Sequence, residues 1–186
     1  KPRGSLSEWV VDLLRSAPAE ATHAAAPAAD SAEDATLALW TLHELSYRGF
    51  EDVDDAAEYD LAALAVQRDL EAELEQRLRE RWDGTTPEPA GVPDALVSLV
   101  EADDGPSLAD LVHREADRNQ VMELLRQRSI YHLKESDPVA WVVPRLPVRA
   151  KAALMELQFD EYGNGDPNRL HHHLFARGLT ACGLRA

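Results

Sequence analysis

Apolar side chains recur at three- and four-residue intervals along most of the chain, the period of an α-helix with one buried face. The clearest run is Asp60 to Trp82, where Leu61, Leu64, Leu70, Leu74, Leu78 and Trp82 keep helical spacing. A helix is also predicted from about Ser31 to Arg48, with Leu39 and Leu42 among its apolar positions and Phe50 just beyond. Ser5-Leu6-Ser7-Glu8 has the form of a capping box and opens a short helix. Further helices are predicted at roughly Asp94–Ala102, Ser107–Lys134, Arg149–Tyr162 and Pro167–Cys182. The polar breaks fall where turn chemistry is densest. Asp83 to Pro93 carries three prolines and two glycines, and Pro138 disfavours helix at the residue before it. The Ala- and Pro-rich stretch Ala17 to Asp30 predicts a mobile loop. Trp141 to Pro144 is the one segment with strand character, too short to build a sheet. The fold class is all-α, a single helical domain over residues 1–186, with no internal repeat.

Composition narrows the function. Of 186 residues, 19 are Lys or Arg and 34 are Asp or Glu, a net charge of -15. Nucleic acid and anionic membrane surfaces both reward cations, so neither is an expected partner. Cys182 is the single cysteine, which rules out an internal disulfide and a thiolate zinc site. The N-terminal stretch has only a short apolar run with acidic residues inside it, unlike a signal peptide or a membrane span. A soluble, cytoplasmic protein is the expectation.

Candidate chemistry gathers at Asp160 to Phe175, DEYGNGDPNRLHHHLF. Gly163 suits the residue just past a helix end, and Asp166-Pro167 has the form of an N-cap with proline in the first helical position. Glu161 continues an apolar face with Leu157, Leu154 and Ala150, so its carboxylate is expected to point inward, where it needs a cation, a donor or a metal. On the following helix His171 shares a face with Leu174, Phe175 and Gly178, His172 with Phe175, Ala176 and Leu179, and His173 is expected to be exposed. On one unbroken helix Glu161 and His171 would sit about 80° apart; the Gly-Asn-Gly-Asp-Pro break frees them to meet. Carboxylate plus imidazole without thiolate suits iron or manganese as well as zinc. The plainer reading is a salt bridge at Glu161 and a solvated helix start at the histidines. Glu156 and Asp160, one turn apart, are expected to be solvated. His43-Glu44 and His132 are isolated, with packing or surface roles, and Glu135 lies near a helix end. No phosphate-binding glycine loop or nucleophile motif is present.

RSIYHLKESDP, PRLPVRAKAALMELQFDEYGNG and HHHLFARGLTACGL, with LHELSYRGF upstream, resemble the iron-containing redox enzymes of the haem-oxygenase-like diiron oxidase and oxygenase superfamily, from Leu37 onward. The resemblance implies a haem-oxygenase-like helical bundle that binds two iron ions and no haem. It implies Glu161 and His171 as iron ligands, with Glu135 as a further carboxylate. It implies O2 as co-substrate and oxidation of a small amino-acid-like or fatty-acid-like molecule.

The family pattern continues with a Glu on the next core helix and a His-x3-Asp-x2-His on a third. Neither follows in this chain, and KPRGSLSEW resembles a family N-terminus, so the expectation is an N-terminal portion lacking C-terminal helices. Its ligand set would be completed by a homodimer, a complementing C-terminal segment or a second chain. The alternative is a non-catalytic helical partner that completes its fold with another chain.

Overall fold

The computed structural model describes residues 1–16 and 25–185, and among them the regular structure is helical throughout, without a strand. Most of the expected loop, 17–24, lies outside the described residues; 25–30 form neither helix nor strand. The described chain divides into two compact units, Lys1–Val97 and Ser98–Ala186.

The first unit holds α1 (Ser5–Arg15), α2 (Ala32–Leu45) and α3 (Leu61–Arg81). Leu6, Val10, Leu13 and Leu14 form one face of α1 and pack with Ala35, Ala38 and Leu42 of α2 and Ala63 and Leu70 of α3. α3 outruns this core: Leu74, Leu78 and Trp82 continue its apolar spacing but stay exposed. Asp60 caps α3 by accepting from the amides of Ala62 and Ala63, and Ser31 caps α2 through Asp34 N–H.

α1 is capped differently from the capping box expected at Ser5. Ser5 is its first helical residue, and the preceding Gly4 makes no side-chain cap. The free amides are taken by carboxylates some 25 to 28 residues away in sequence. Asp30 Oδ2 accepts from Ser5 N at 2.7 Å, and Asp34 Oδ2 and Oδ1 accept from Leu6 N at 3.1 Å and Ser7 N at 2.9 Å. Asp34, on α2, is fully buried. Burial alone would raise its pKa, but the hydrogen bonds from Ser7, Asp30 and Leu6 outweigh it and hold the carboxyl below its usual range. Gly4 is required by space. A Cβ there would lie 2.6 Å from Asp34 Cγ and 2.8 Å from Asp30 Oδ2.

α4 (Val92–Glu101) contains the division between the units. The second unit continues with α5 (Leu108–Arg114), α6 (Arg118–His132), α7 (Val148–Glu161) and α8 (His171–Ala181). Three expectations are corrected here. The single helix predicted over Ser107–Lys134 is two, because Asp117 and Gln120 form a reciprocal capping box that starts α6 afresh. Trp141–Pro144 is part of a 3₁₀ helix, Pro138–Arg145, and not an extended segment. α8 starts at His171, four residues after Pro167, because Asp166 is used in a turn.

α6 packs on α8, and α7 on the 3₁₀ segments flanking it. Few side chains in this unit are buried. Leu179 is the one buried apolar residue among those described, and the other buried side chains are polar, Ser136 and Gln158. Ile130, Trp141, Leu157 and Phe159 are all more than half exposed. No helix among the described residues is long and apolar enough to cross a membrane.

Candidate metal centre

α7 stops where the sequence predicts, through a run of backbone conformations that only a few residue types tolerate. Tyr162 is the C-cap. Gly163 (φ 68°), Asn164 (φ 56°) and Gly165 (φ 81°) follow in the left-handed region. Gly163 is fixed twice over, since a Cβ on it would come within 2.6 Å of the Arg169 carbonyl carbon. Asp166 Oδ1 then accepts from Asn168 N at 2.9 Å, an Asx turn that delays the next helix.

The reversal brings the first residue of α8 back to the last residue of α7. His171 Nδ1 and Glu161 Oε2 are 2.9 Å apart, and Ser136 Oγ donates to the same carboxylate oxygen at 3.0 Å. The Glu161 side chain is about four-fifths buried, its exposure being 21%. The apolar stripe does not bury it, since Leu157 faces solvent; the corner does. His172 is half-buried and His173 exposed.

Glu135 sits on the segment that leaves α6. Its Oε2 lies 2.9 Å from Nδ1 of His132, and Arg128 Nε donates to Nε2 of the same ring at 3.0 Å. With Nε2 accepting, the ring proton belongs on Nδ1, where it is donated to Glu135. Phe175 of α8 packs on this imidazole, ring centroids 4.9 Å apart. His132 is therefore not isolated, as its position in the sequence suggests; it links Glu135 to the helix that carries His171. Both carboxylates act on one phenol. Glu135 most strongly, then desolvation and, more weakly, Glu161 raise the pKa of Tyr131, with Arg128 opposing. Tyr162 donates to Asp137 Oδ1 at 2.7 Å, and burial, reinforced by that bond and charge, pushes its hydroxyl up to about 12.

The expected site residues are thus gathered in one region of the second unit, as two pairs: Glu161 with His171, and Glu135 with His132. Glu156 and Asp160 are exposed, and His43 pairs with Glu71 at 2.8 Å on the surface of the first unit. The Glu161–His171 contact has the 2.9 Å separation of an ion pair or hydrogen bond between carboxylate and imidazole, and both residue types are ones that can ligate iron. A complete site is not formed: no group of three or more His, Cys, Asp or Glu among the described residues is arranged to hold a metal. Ser136, Gln158, Tyr131 and His132 lie around these two pairs; sequence reading takes His132 as isolated and does not single out the other three. His132-x2-Glu135 at a helix end is the one spacing that could have pointed to any of them.

Residues 122–186 match the family described as iron-containing redox enzyme. The match holds Glu135, Glu161 and His171 and excludes LHELSYRGF at 42–50. With the all-helical structure it indicates a haem-oxygenase-like helical fold, and it supports a redox enzyme that contains iron. No curated protein matches the chain.

Proposed function

We propose that the protein is a non-haem diiron oxidase or oxygenase that activates O2 to oxidise a small amino-acid-like or fatty-acid-like substrate. Glu161 and His171 are two of the iron ligands and Glu135 a third. The observation that carries this reading is the 2.9 Å approach of Glu161 Oε2 and His171 Nδ1 across a corner that depends on its glycines. When bound, the iron pair supplies the redox chemistry. The residues of this chain hold the carboxylates and imidazole in place and deliver hydrogen bonds to them. The remaining ligands come from a second copy, a complementing segment or another chain.

The test is Fe(II)-dependent oxygen uptake by the complete assembly, with iron analysis of the 186-residue chain alone. The chain alone binds iron weakly; the assembly consumes O2, and Glu161→Ala or His171→Ala abolishes uptake while helical circular dichroism is retained. His172→Ala and His173→Ala leave uptake intact. If none of the three histidines matters, the second reading holds, a non-catalytic helical partner. The exposed apolar side chains of the second unit favour it.

A further inference from the structure

We infer that Gln158 and Ser136 form a clamp that sets the separation of the Glu135 and Glu161 carboxylates. The inference deepens the iron-site reading and rests on it. Its starting point is an oddity of burial. In a unit where Ile130, Trp141, Leu157 and Phe159 are more than half exposed, the side chains that are buried among the described residues, besides Leu179, are a serine at 4% exposure and a glutamine at 3%. Burying polar groups costs free energy unless they are paired, and both of these are paired. Gln158 Nε2 donates to the Ser136 carbonyl at 2.9 Å, and Ser136 Oγ donates to Glu161 Oε2 at 3.0 Å.

The sequence positions give the clamp its meaning. Gln158 lies three residues before Glu161 on α7, so the two side chains share a face of that helix. Ser136 directly follows Glu135. Gln158 therefore grips the backbone that presents one carboxylate, from the helix that presents the other. Ser136 closes the loop by holding Glu161 itself, while His132 steadies Glu135 from the other side. Two ligands from separate elements are useful to a metal only if their spacing is fixed. Gln158 and Ser136 are positioning residues; neither need touch iron.

The test uses the metal-free 186-residue protein, with the carboxylate carbons of Glu135 and Glu161 observed by ¹³C NMR at neutral pH. Gln158→Met keeps the length and removes the donor. It should shift both resonances although Gln158 contacts neither group. Ser136→Ala should shift Glu161, and Ser136→Thr, which restores the hydroxyl, should return it. A lower melting temperature with both resonances unmoved overturns the clamp in favour of plain packing. If Gln158→Met does not fold, the serine pair decides: no shift of Glu161 in Ser136→Ala overturns the inference. Titration with Mn(II), a hard divalent ion of the same ligand class, separates the clamp from the iron reading. Broadening of Glu161 and His171 should need about tenfold more Mn(II) in Gln158→Met than in wild type; equal broadening overturns the clamp's role. No broadening in wild type, with the carboxylate shifts as expected, sustains the clamp and overturns the metal site.

Discussion

Single residues at two points of this chain decide what larger elements can do. Gly163 combines a left-handed φ of 68° with a Cβ position 2.6 Å from the Arg169 backbone. Gly163→Ala should destabilise the second unit by about 1–3 kcal/mol, and should part His171 from Glu161. Loss of the interhelical contact in NMR, with α7 still helical, is the expected result. Asp34 offers a pH test. Its folded-state pKa is lowered, so its contribution is complete above the unfolded value, near the ordinary 3.8, and is lost as pH falls through the lower folded value. Urea midpoints should therefore begin to fall as pH drops below about 5 and keep falling through the Asp34 range. Asp34→Asn should flatten that drop, and should cost about 2 kcal/mol at neutral pH by leaving buried amides poorly satisfied.

At the scale of elements, local chemistry was legible and its choice of partner was not. α2, α3 and α7 begin and end within a few residues of where apolar period and capping residues put them, because those signals are local. The Gly-Asn-Gly break and the approach of Glu161 to His171 were equally readable. Glycine takes the left-handed conformation that stops a helix more readily than any other residue, and a carboxylate at the end of an apolar face needs a partner. Asp166-Pro167 has the chemistry of a helix start, yet Asp166 turns on Asn168 and α8 waits for His171. An Asx turn and an N-cap use the same side chain in the same way, and only the tertiary position of the next helix distinguishes them. Asp117-x2-Gln120 is a local capping signal inside Ser107–Lys134, and it divides the span that the apolar period reads as one helix. Asp117→Ala should cost α6 about 1 kcal/mol, seen as faster hydrogen exchange at residues 118–122 and little change in α5. Ser136 and Gln158 could not be found from sequence, because their roles depend on contacts 22 and 25 residues away in sequence.

For the whole molecule, apolar burial is unevenly shared. The first unit has a continuous core through α1, α2 and the first half of α3, and the second has polar contacts and one buried leucine among its described residues. Opening free energy follows buried apolar contact. The slowest-exchanging amides should lie in α1, α2 and Leu61–Leu70, and those of α5 to α8 should exchange at least roughly tenfold faster. Equal protection in both units would mean that hydrogen bonding, not core packing, sets the second unit's stability.

The cap on α1 turns a local feature into a long-range one. Most helices carry their own N-cap and can begin to wind alone; this one has its first amides satisfied from Asp30 and Asp34. Ordering of the first helix is consequently tied to ordering of the second. A methyl group at Gly4, by holding the two carboxylates off, should remove this tie and leave the apolar packing of α1 on α2 as the remaining link.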